Sequence, residues 1–234
     1  CVAEVVEKLD WKPGKNETGA YYWIVQKKYS QCVHIGAAAV NPLIADLKRE
    51  DVNVLKDIIN ALGQIGDPRA VPPLIKVLNK SNPTSIQVNA AEALGKIGDN
   101  QAAKSLLNAS LAHREEEVRK ASIEALTKID WEPTDDVSRV RYWIAQENWD
   151  QCKQLGANEV DPLIAMLEQV YGRQGIIIDT LAMIGKPAVK PLLAKLQMGK
   201  LNESVIRSLG KIGDPSAVKP LMAILKDNTS DNRY

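Results

Sequence analysis

The chain has 234 residues, 45% of them apolar, which is enough to bury a continuous core even though Phe is absent. Thirty Lys and Arg against 29 Asp and Glu leave a formal net charge of +1, which excludes the basic excess of a general nucleic-acid binder. We therefore expect no nucleic-acid partner. We expect no membrane partner either, because no apolar run approaches the roughly 18 residues of a membrane span. Three cysteines are too few for a disulfide framework.

The first residues, 1–9 (CVAEVVEKL), match the end of a helix that returns at Ala121–Ile129 (ASIEALTKI). The sequence does not contain the helix that would precede them, so we expect this partial repeat to leave apolar surface uncovered. We expect that surface to be capped either by preceding chain or by a second molecule, that is, by self-association. The start at Cys1 predicts a piece of a longer array, with a lipid-carrying terminal cysteine as the alternative.

A longer segment interrupts the repeat pattern twice, at residues 10–36 and 130–156. Residues 9–47 align without a gap on residues 129–167 at a constant offset of 120, and 17 of these 39 positions are identical. The shared letters include D-W-x-P, Y-W-I-x-Q and Q-C. A block of 120 residues has therefore been copied, and we call the two segments the first and the second insertion.

Each insertion is expected to be helical. The pattern predicts a helix over Glu17–Lys28 in the first copy and over Asp135–Gln146 in the second. A second, short helix follows in the second copy, with Asn148 as its N-cap and Leu155 near its end. Both insertions therefore add helices to the repeat pattern.

Nine of the eleven Trp and Tyr side chains lie in the two insertions. One interpretation is a local mini-core, because Trp is the largest apolar anchor for an added helix. The alternative is a pocket for a peptide or a cofactor that is built from paired aromatic rings. These residues are Trp11, Tyr21, Tyr22, Trp23 and Tyr29 in the first copy, and Trp131, Tyr142, Trp143 and Trp149 in the second.

Two of the three cysteines, Cys32 and Cys152, occupy equivalent positions in the two insertions. Several helix layers of roughly 8–10 Å each are expected between them, which is far beyond the reach of a disulfide. We therefore expect two buried thiols and a reducing, cytoplasmic location.

Outside the insertions, a two-helix unit returns every 28–32 residues, apart from one wide gap. Its first helix, helix A, carries A-V-x-P-L, and its second, helix B, ends on A-L-G-K-I-G-D. Leu, Ala and Ile recur in helix B at three- and four-residue spacing, which predicts one apolar face. We expect a single array over residues 1–234, with repeats at 37–66, 67–98, 99–130, 157–185 and 186–213 and a terminal helix A over 214–226.

The signature also predicts how helices end and begin. A glycine after the last core Ile is expected in the left-handed conformation that ends a helix, and the Asp that follows it is expected to cap the next helix. The proline of A-V-x-P-L lies further inside helix A, where we expect it to remove one hydrogen bond and to bend the axis. The turn residues are Gly66, Gly98 and Gly213, then Asp67, Asp99 and Asp214, with Pro68 and Pro215 at the first helical position.

The block A-x-x-A-L-G-K-I-G-D-P-x-A-V-x-P-L resembles the HEAT-like repeats of the phycobilisome-lyase type over most of residues 1–227. The resemblance implies an all-α fold, an α-solenoid in which HEAT-like helix pairs form a right-handed superhelix with two helical insertions. A helices are expected on the outside and B helices along a concave side. The name of the repeat type implies one alternative function, that of an accessory lyase that attaches a phycobilin chromophore.

Residues for catalysis are few. His34 and His113 lie in different repeats without an acidic partner at ligand spacing, so we predict no catalytic residues, no metal site and no cofactor. Some relatives of this repeat type resemble deoxyhypusine hydroxylase, an iron enzyme with His-Glu pairs, but this chain has no His-Glu dipeptide. Alkylpurine glycosylases that use such repeats need a basic concave face, which the balanced charge argues against.

The predicted function is therefore a non-catalytic, cytoplasmic scaffold for protein–protein interaction, which binds a protein partner through the concave helix B face or the aromatic insertions. Glu and Lys alternate on that face, and Glu4–Lys8, Glu92–Lys96 and Glu124–Lys128 are expected i,i+4 ion pairs. One interpretation is that these charges only keep the face soluble. In the functional interpretation, the side chains that contact the partner are Asn60, Gln87, Asn89, Glu92, Arg119, Lys120, Glu124 and Arg207.

Overall fold

The structure, a computed structural model, describes residues 11–49, 51–152, 160–167, 174–197 and 202–231. The partial repeat 1–9, with its expected Glu4–Lys8 pair, lies outside these residues, as does the end of the second insertion at 153–156. The chain divides into two compact units, Cys1–Trp131 and Glu132–Tyr234, and each is described by itself. No helix in the described part of the chain combines the length and the apolar character of a membrane span.

The first unit consists of the first insertion and three helix pairs. The insertion contributes α1 and α2, after which A and B helices alternate as α3/α4, α5/α6 and α7/α8. Consecutive B helices pack on each other, α4 on α6 and α6 on α8. The helices are α1 Glu17–Val25, α2 Tyr29–Ile35, α3 Val40–Asp46, α4 Val52–Ile65, α5 Val71–Asn79, α6 Thr84–Ile97, α7 Ala103–Ala112 and α8 Glu116–Lys128.

The second unit repeats this plan. The second insertion contributes α9 and α10, followed by the pairs α11/α12 and α13/α14 and by a last helix A, α15. B helix α12 packs on B helix α14. The helices are α9 Asp136–Ala145, α10 Trp149–Cys152, α11 Val160–Leu167, α12 Gln174–Ile184, α13 Val189–Gln197, α14 Asn202–Ile212 and α15 Val218–Asp231. The all-α solenoid of stacked helix pairs is confirmed, whereas the single array, its repeat boundaries and its handedness stay predictions.

The turn chemistry is confirmed. Gly66 and Gly98 end α4 and α6 with φ of 74° and 76°, in the left-handed region that an L side chain rarely adopts. The carboxylate of Asp67 then accepts a hydrogen bond from the backbone N–H of Arg69 at 3.0 Å and so caps the next helical turn. Asp99 and Asp214 do the same for the turns that follow them.

The proline of helix A, by contrast, lies in a different place from the one expected. Helix A opens with a short 3-10 turn, Pro68–Ala70 in the second pair, and the α-helix proper begins only at Val71. Pro73 is therefore in the first α-helical turn, where N–H groups have no intrahelical acceptor. The expected loss of a ladder hydrogen bond was wrong, and with it the reason for a bend. Pro42, Pro191 and Pro220 occupy the same place in their helices.

A close approach of neighbouring B helices explains the first glycine of A-L-G-K-I-G-D. A Cβ added to Gly63 of α4 would lie 2.9 Å from both the Cα and the Cβ of Ala93 in α6. A Cβ on Gly95 of α6 would lie 2.9 Å from the Cα and 3.0 Å from the Cβ of Ala125 in α8. Such distances are shorter than real carbon contacts, so each glycine lets the next B helix come near. We call these two contacts the glycine–alanine contacts.

Candidate functional site

The two insertions have the same architecture. In both, the first helix packs against helix A of the following pair, as α1 does on α3 and α9 on α11. The second helix packs against helix B, as α2 does on α4 and α10 on α12. The predicted cap of the short helix is confirmed, since the Asn148 side-chain oxygen accepts a hydrogen bond from Gln151 N–H. Each insertion therefore packs against both helices of the repeat that follows it.

The turn between the two insertion helices is also a copy. Lys27 has a φ of 55°, and so does its equivalent, Glu147, although neither is a glycine. In both copies the next backbone N–H closes the helix on a Trp carbonyl, with a distance of 2.8 Å for Lys28 to Trp23 and a similar one in the second copy. The same backbone geometry therefore ends the first helix of both insertions.

The buried core of each insertion contains small and branched residues, and in the first copy it also contains Tyr29. Ile24 and Cys32 are buried in the first copy, and their equivalents, Ile144 and Cys152, are buried in the second. Trp11, by contrast, is 37% exposed and Tyr21 is 48% exposed. Tyr29 is buried and Trp23 and Trp143 are half-buried, so the interpretation of the aromatic residues as a local mini-core stays a prediction, as does the pocket alternative.

Three aromatic rings of the first insertion form a cluster at the surface, in which Tyr22 and Trp23 are half-buried. The Trp11 and Tyr22 rings meet edge to face with centroids 5.5 Å apart, and Tyr22 meets Trp23 at 4.9 Å. The Lys28 ammonium lies 5.3 Å from the centroid of the Trp23 ring, within cation–π range. The aromatic cluster therefore contacts a lysine at the edge of the insertion.

Both described thiols are free and buried, and their burial makes them unreactive. Cys32 Sγ lies 3.8 Å from the carbonyl oxygen of Ala20, and Cys152 is equally enclosed. Burial raises the pKa of each thiol from 9.0 to about 11, because the thiolate would lose its hydration. The prediction of two buried, unpaired thiols is confirmed.

A groove of about 460 Å³ lies between the first insertion and helix B α4. The groove includes residues from both surfaces that the sequence predicts as partner sites, the first insertion and the helix B face. Asn60, one of the predicted partner-binding residues of the helix B face, lines it opposite the insertion. The insertion side is lined by Lys27, Lys28, Tyr29, Ser30 and Val33, and the α4 side by Asp57, Asn60, Ala61 and Gln64. We call this space the insertion groove.

Tyr29 forms part of the groove wall although only 5% of it is exposed. Within the described residues its hydroxyl has no hydrogen-bond partner, and neither has Oδ2 of Asp46. Burial, followed by the nearby Asp46 carboxylate, raises the pKa of the Tyr29 hydroxyl, so this group stays neutral at physiological pH. Asp46 Oδ1 is satisfied by Arg49 at 2.7 Å.

Ion pairs of the described B helices form both between neighbouring repeats and within one helix. Among the described residues, no ion pair joins Glu92 to Lys96 or Glu124 to Lys128, so those expected pairs are wrong. Instead the signature lysine of α14, Lys211, pairs with Asp179 of the preceding B helix. Pairs within one helix form nearer to the start of the helix, Glu116–Lys120 at 2.6 Å and Glu203–Arg207 at 2.8 Å.

Comparisons with known proteins agree with this geometry. Residues 40–127 match a family model for HEAT repeats, and residues 202–227 match one for a PBS lyase HEAT-like repeat. The chain carries HEAT-like repeats. The search of curated proteins finds no match to it. Among solved structures, human deoxyhypusine hydroxylase in complex with glycerol is similar at 20% identity and a TM-score of 0.42, over 84% of this chain and 81% of that one. A likeness at this level says nothing about activity.

Within the HEAT-like repeats, two of the predicted partner residues serve the fold instead. Gln87 is only 6% exposed, and its amide donates hydrogen bonds of 3.0 Å to the carbonyl oxygens of Leu78 and Lys80 at the end of helix A. Arg119, at the equivalent position of α8, donates to the carbonyl oxygens of His113 and Arg114. This position ties the start of helix B to the end of helix A. The expectation that Gln87 reaches a ligand is therefore wrong.

Asn89 is also buried, although the sequence predicts that it contacts the partner. Only 8% of it is exposed, and its Nδ2 makes no hydrogen bond within the described residues. It cannot be among the first side chains that a partner meets. The remaining predicted residues stay accessible to differing degrees, with Asn60 and Glu92 half-buried and Lys120, Glu124 and Arg207 exposed. Partner binding by these residues stays a prediction.

The described residues contain no group of His, Cys, Asp and Glu side chains that is placed to hold a metal ion. The two histidines have local roles, since His34 Nδ1 lies 2.8 Å from the Ser30 carbonyl oxygen and His113 Nδ1 accepts a hydrogen bond from Glu115 N–H. The insertion groove is therefore the candidate site in the described part of the chain.

Replacing Gln87 by alanine should lower the free energy of unfolding by about 1–3 kcal/mol, because two buried carbonyl groups lose their donor. Chemical denaturation measures the change. Gln64→Ala is the matched control, since Gln64 is an exposed glutamine on the neighbouring B helix and should change stability by less than about 0.5 kcal/mol. Equal effects of the two substitutions would remove the capping role from Gln87.

Proposed function

We propose that the chain is a non-catalytic scaffold that binds a protein partner in the insertion groove. The observation that carries the proposal is the groove itself, where the first insertion and helix B α4 form one concave surface of about 460 Å³. Repeat arrays of stacked helices offer such extended surfaces to partners. The groove unites the two surfaces that sequence reasoning treated as alternatives.

The composition of the groove suits the recognition of a peptide segment. Asn60 and Gln64 provide amides that both donate and accept hydrogen bonds, and they sit one helical turn apart on α4. Val33 and the ring of Tyr29 provide apolar contact on the opposite wall. Concave sites with a few placed polar groups are the usual form of a binding site.

The test is affinity capture from native cell extract with quantitative mass spectrometry. The groove variant Asn60→Arg/Gln64→Arg places two long cations in the space that the partner would fill. The matched control, Asn79→Arg/Gln101→Arg, makes the same two changes at exposed positions outside the groove. A protein retained by wild type and control, and lost from the groove variant, is the expected result.

Two other outcomes are informative. If the groove variant retains everything that the wild type retains, the groove is not the interaction site. Glu92→Lys/Glu124→Lys then tests the remaining helix B surface, because these side chains lie on consecutive B helices α6 and α8. If wild-type protein retains nothing above background, the scaffold proposal itself is overturned.

An accessory lyase that attaches a phycobilin chromophore is the alternative, and the match of residues 202–227 to a PBS lyase HEAT-like repeat is the observation that favours it. That match describes the repeat, which occurs as a fold module rather than as an active site. Purified chain, free bilin and several phycobiliprotein apoproteins test it directly. Covalent bilin transfer would replace the scaffold proposal, and its absence with every apoprotein would remove the lyase alternative.

A further inference from the structure

The two insertions share a fold but present opposite charges. The residues that line the turn and the start of the second helix are basic in the first copy and acidic in the second. The replacements are Lys27 by Glu147, Lys28 by Asn148 and Ser30 by Asp150. The next lining residue, Val33, has Lys153 as its equivalent, which lies outside the described residues. The duplicated frame therefore carries a reversed charge.

The helix B side of the groove, by contrast, keeps the same formal charge in the two copies. Asn60, a neutral amide in the insertion groove, has Asp179 as its equivalent at the corresponding position of α12. Asp57, the carboxylate of the groove, has the apolar Ile176 as its equivalent. The first groove thus places two lysines on the insertion wall opposite one carboxylate, whereas the second copy has Glu147 and Asp150 in the insertion and one helix B carboxylate that pairs with Lys211.

The backbone that holds these residues is alike in the two insertions. Lys27 and Glu147 share the same left-handed φ of 55°, and the helices on either side pack in the same pairs. Ile24 and Ile144 are buried alike beneath the turn. The charge of the insertion at the groove edge therefore differs between the copies, while the backbone conformation of the turn is the same.

We propose that the insertion groove binds an acidic peptide segment, with its carboxylates against Lys27 and Lys28. This inference rests on the proposed function, whose site it shares. Lys28 is ordered over the Trp23 ring, so its ammonium is held at the edge of the groove at a lower entropic cost than a free lysine. Asp57 on the opposite wall repels a carboxylate, so the acidic side chains of the segment face the insertion.

The experiment uses the full chain and a fluorescein-labelled octaglutamate peptide, with octalysine as the opposite probe, in fluorescence anisotropy at low salt. The variant Lys27→Glu/Lys28→Asn copies the residues of the second insertion into the first, at a turn that already accepts them. The control Lys104→Glu/Lys76→Asn makes the same change of charge at exposed positions of helices α7 and α5. Circular dichroism confirms that both variants are folded.

Octaglutamate should bind wild type and control alike and should bind the turn variant about tenfold more weakly or worse, since each lysine contributes up to about 1 kcal/mol to such a contact. Equal binding of octaglutamate to all three proteins, or tighter binding of octalysine to wild type, overturns the proposal. Higher salt should weaken the octaglutamate complex, because exposed charges are screened.

The affinity capture experiment separates this inference from the proposed function. A partner that is lost with Asn60→Arg/Gln64→Arg but retained by Lys27→Glu/Lys28→Asn would leave the groove as the binding site and overturn its preference for an acidic segment. A partner that is lost with both variants, and released from wild type by octaglutamate, supports both.

Discussion

Alkylation of the native protein at pH 8 should leave Cys32 and Cys152 almost unmodified. The thiolate is the reactive species, and a pKa of about 11 in place of 9.0 lowers its population at this pH; the decrease is about 100-fold. Complete burial adds a steric barrier. Iodoacetamide labelling followed by peptide mapping measures each site separately, and labelling in denaturant gives the reference rate. Rapid labelling of either cysteine in the native state would contradict its burial.

The same two thiols make the stability of the fold depend on pH above 9. Their pKa is higher in the folded chain than in the unfolded chain, so their contribution is fully present below pH 9 and is lost as the pH rises through about 11. A shift of this size corresponds to about 2–3 kcal/mol for each thiol. Denaturation at pH 8, 9.5 and 11 should show the loss.

Cys32→Ala/Cys152→Ala is the control for this pH dependence. Other groups also titrate at alkaline pH, and they do so in both proteins, so the difference between the two pH profiles isolates the thiols. We expect the variant to be less stable at pH 8, because two buried side chains become smaller, but to lose less stability between pH 9 and 11. Parallel profiles would show that the thiols do not contribute.

Gly95→Ala should destabilise the first unit by about 1–3 kcal/mol, although alanine is the better helix former. The added methyl group would lie 2.9 Å from the Cα of Ala125, which is backbone and cannot move without shifting α8. Gly63→Ala should behave in the same way, since its Cβ would meet Ala93 at the same distance. Chemical denaturation, with the mid-point and slope fitted separately, measures the effect.

Gly210→Ala is the matched control, since it changes the same residue of the same signature in the last B helix. Nothing lies within 4 Å of the Cβ that it would add. Here the helix propensity of alanine acts alone, so we expect an increase in stability of up to about 1 kcal/mol. A stabilising effect of Gly95→Ala comparable to that of Gly210→Ala would show that the B helices do not approach as closely as the glycine–alanine contacts require.

The parts of the fold that the sequence predicts are those governed by neighbours in the chain. The left-handed Gly66 and the cap by Asp67 follow from the conformational preferences of single residues, and both are confirmed. The helical periodicity of the B helices also depends on local spacing alone. The cap of the short helix by Asn148 is likewise predicted from the local sequence, and it is confirmed.

What the sequence does not reveal depends on residues that are distant in the chain. Gln87 looks like a surface residue of helix B, and only the position of the carbonyl group of Leu78 shows that it is buried as a cap. Lys211 pairs with Asp179, 32 residues earlier, rather than within its own helix. The insertion groove, too, brings Lys27 and Asn60 together from separate elements. Periodicity contains no information about such pairings.

The glycine–alanine contacts also explain where this chain accommodates extra sequence. The residue two positions after the second alanine of the signature is small, Gly63, Gly95 or Ala182, wherever the next helix pair follows directly. At the same position stand Glu7 and Thr127 immediately before the two insertions. A larger side chain at this position would not allow the close approach that the glycine–alanine contacts require. This one position in each repeat therefore predicts, from the sequence alone, whether another helix pair or an insertion follows.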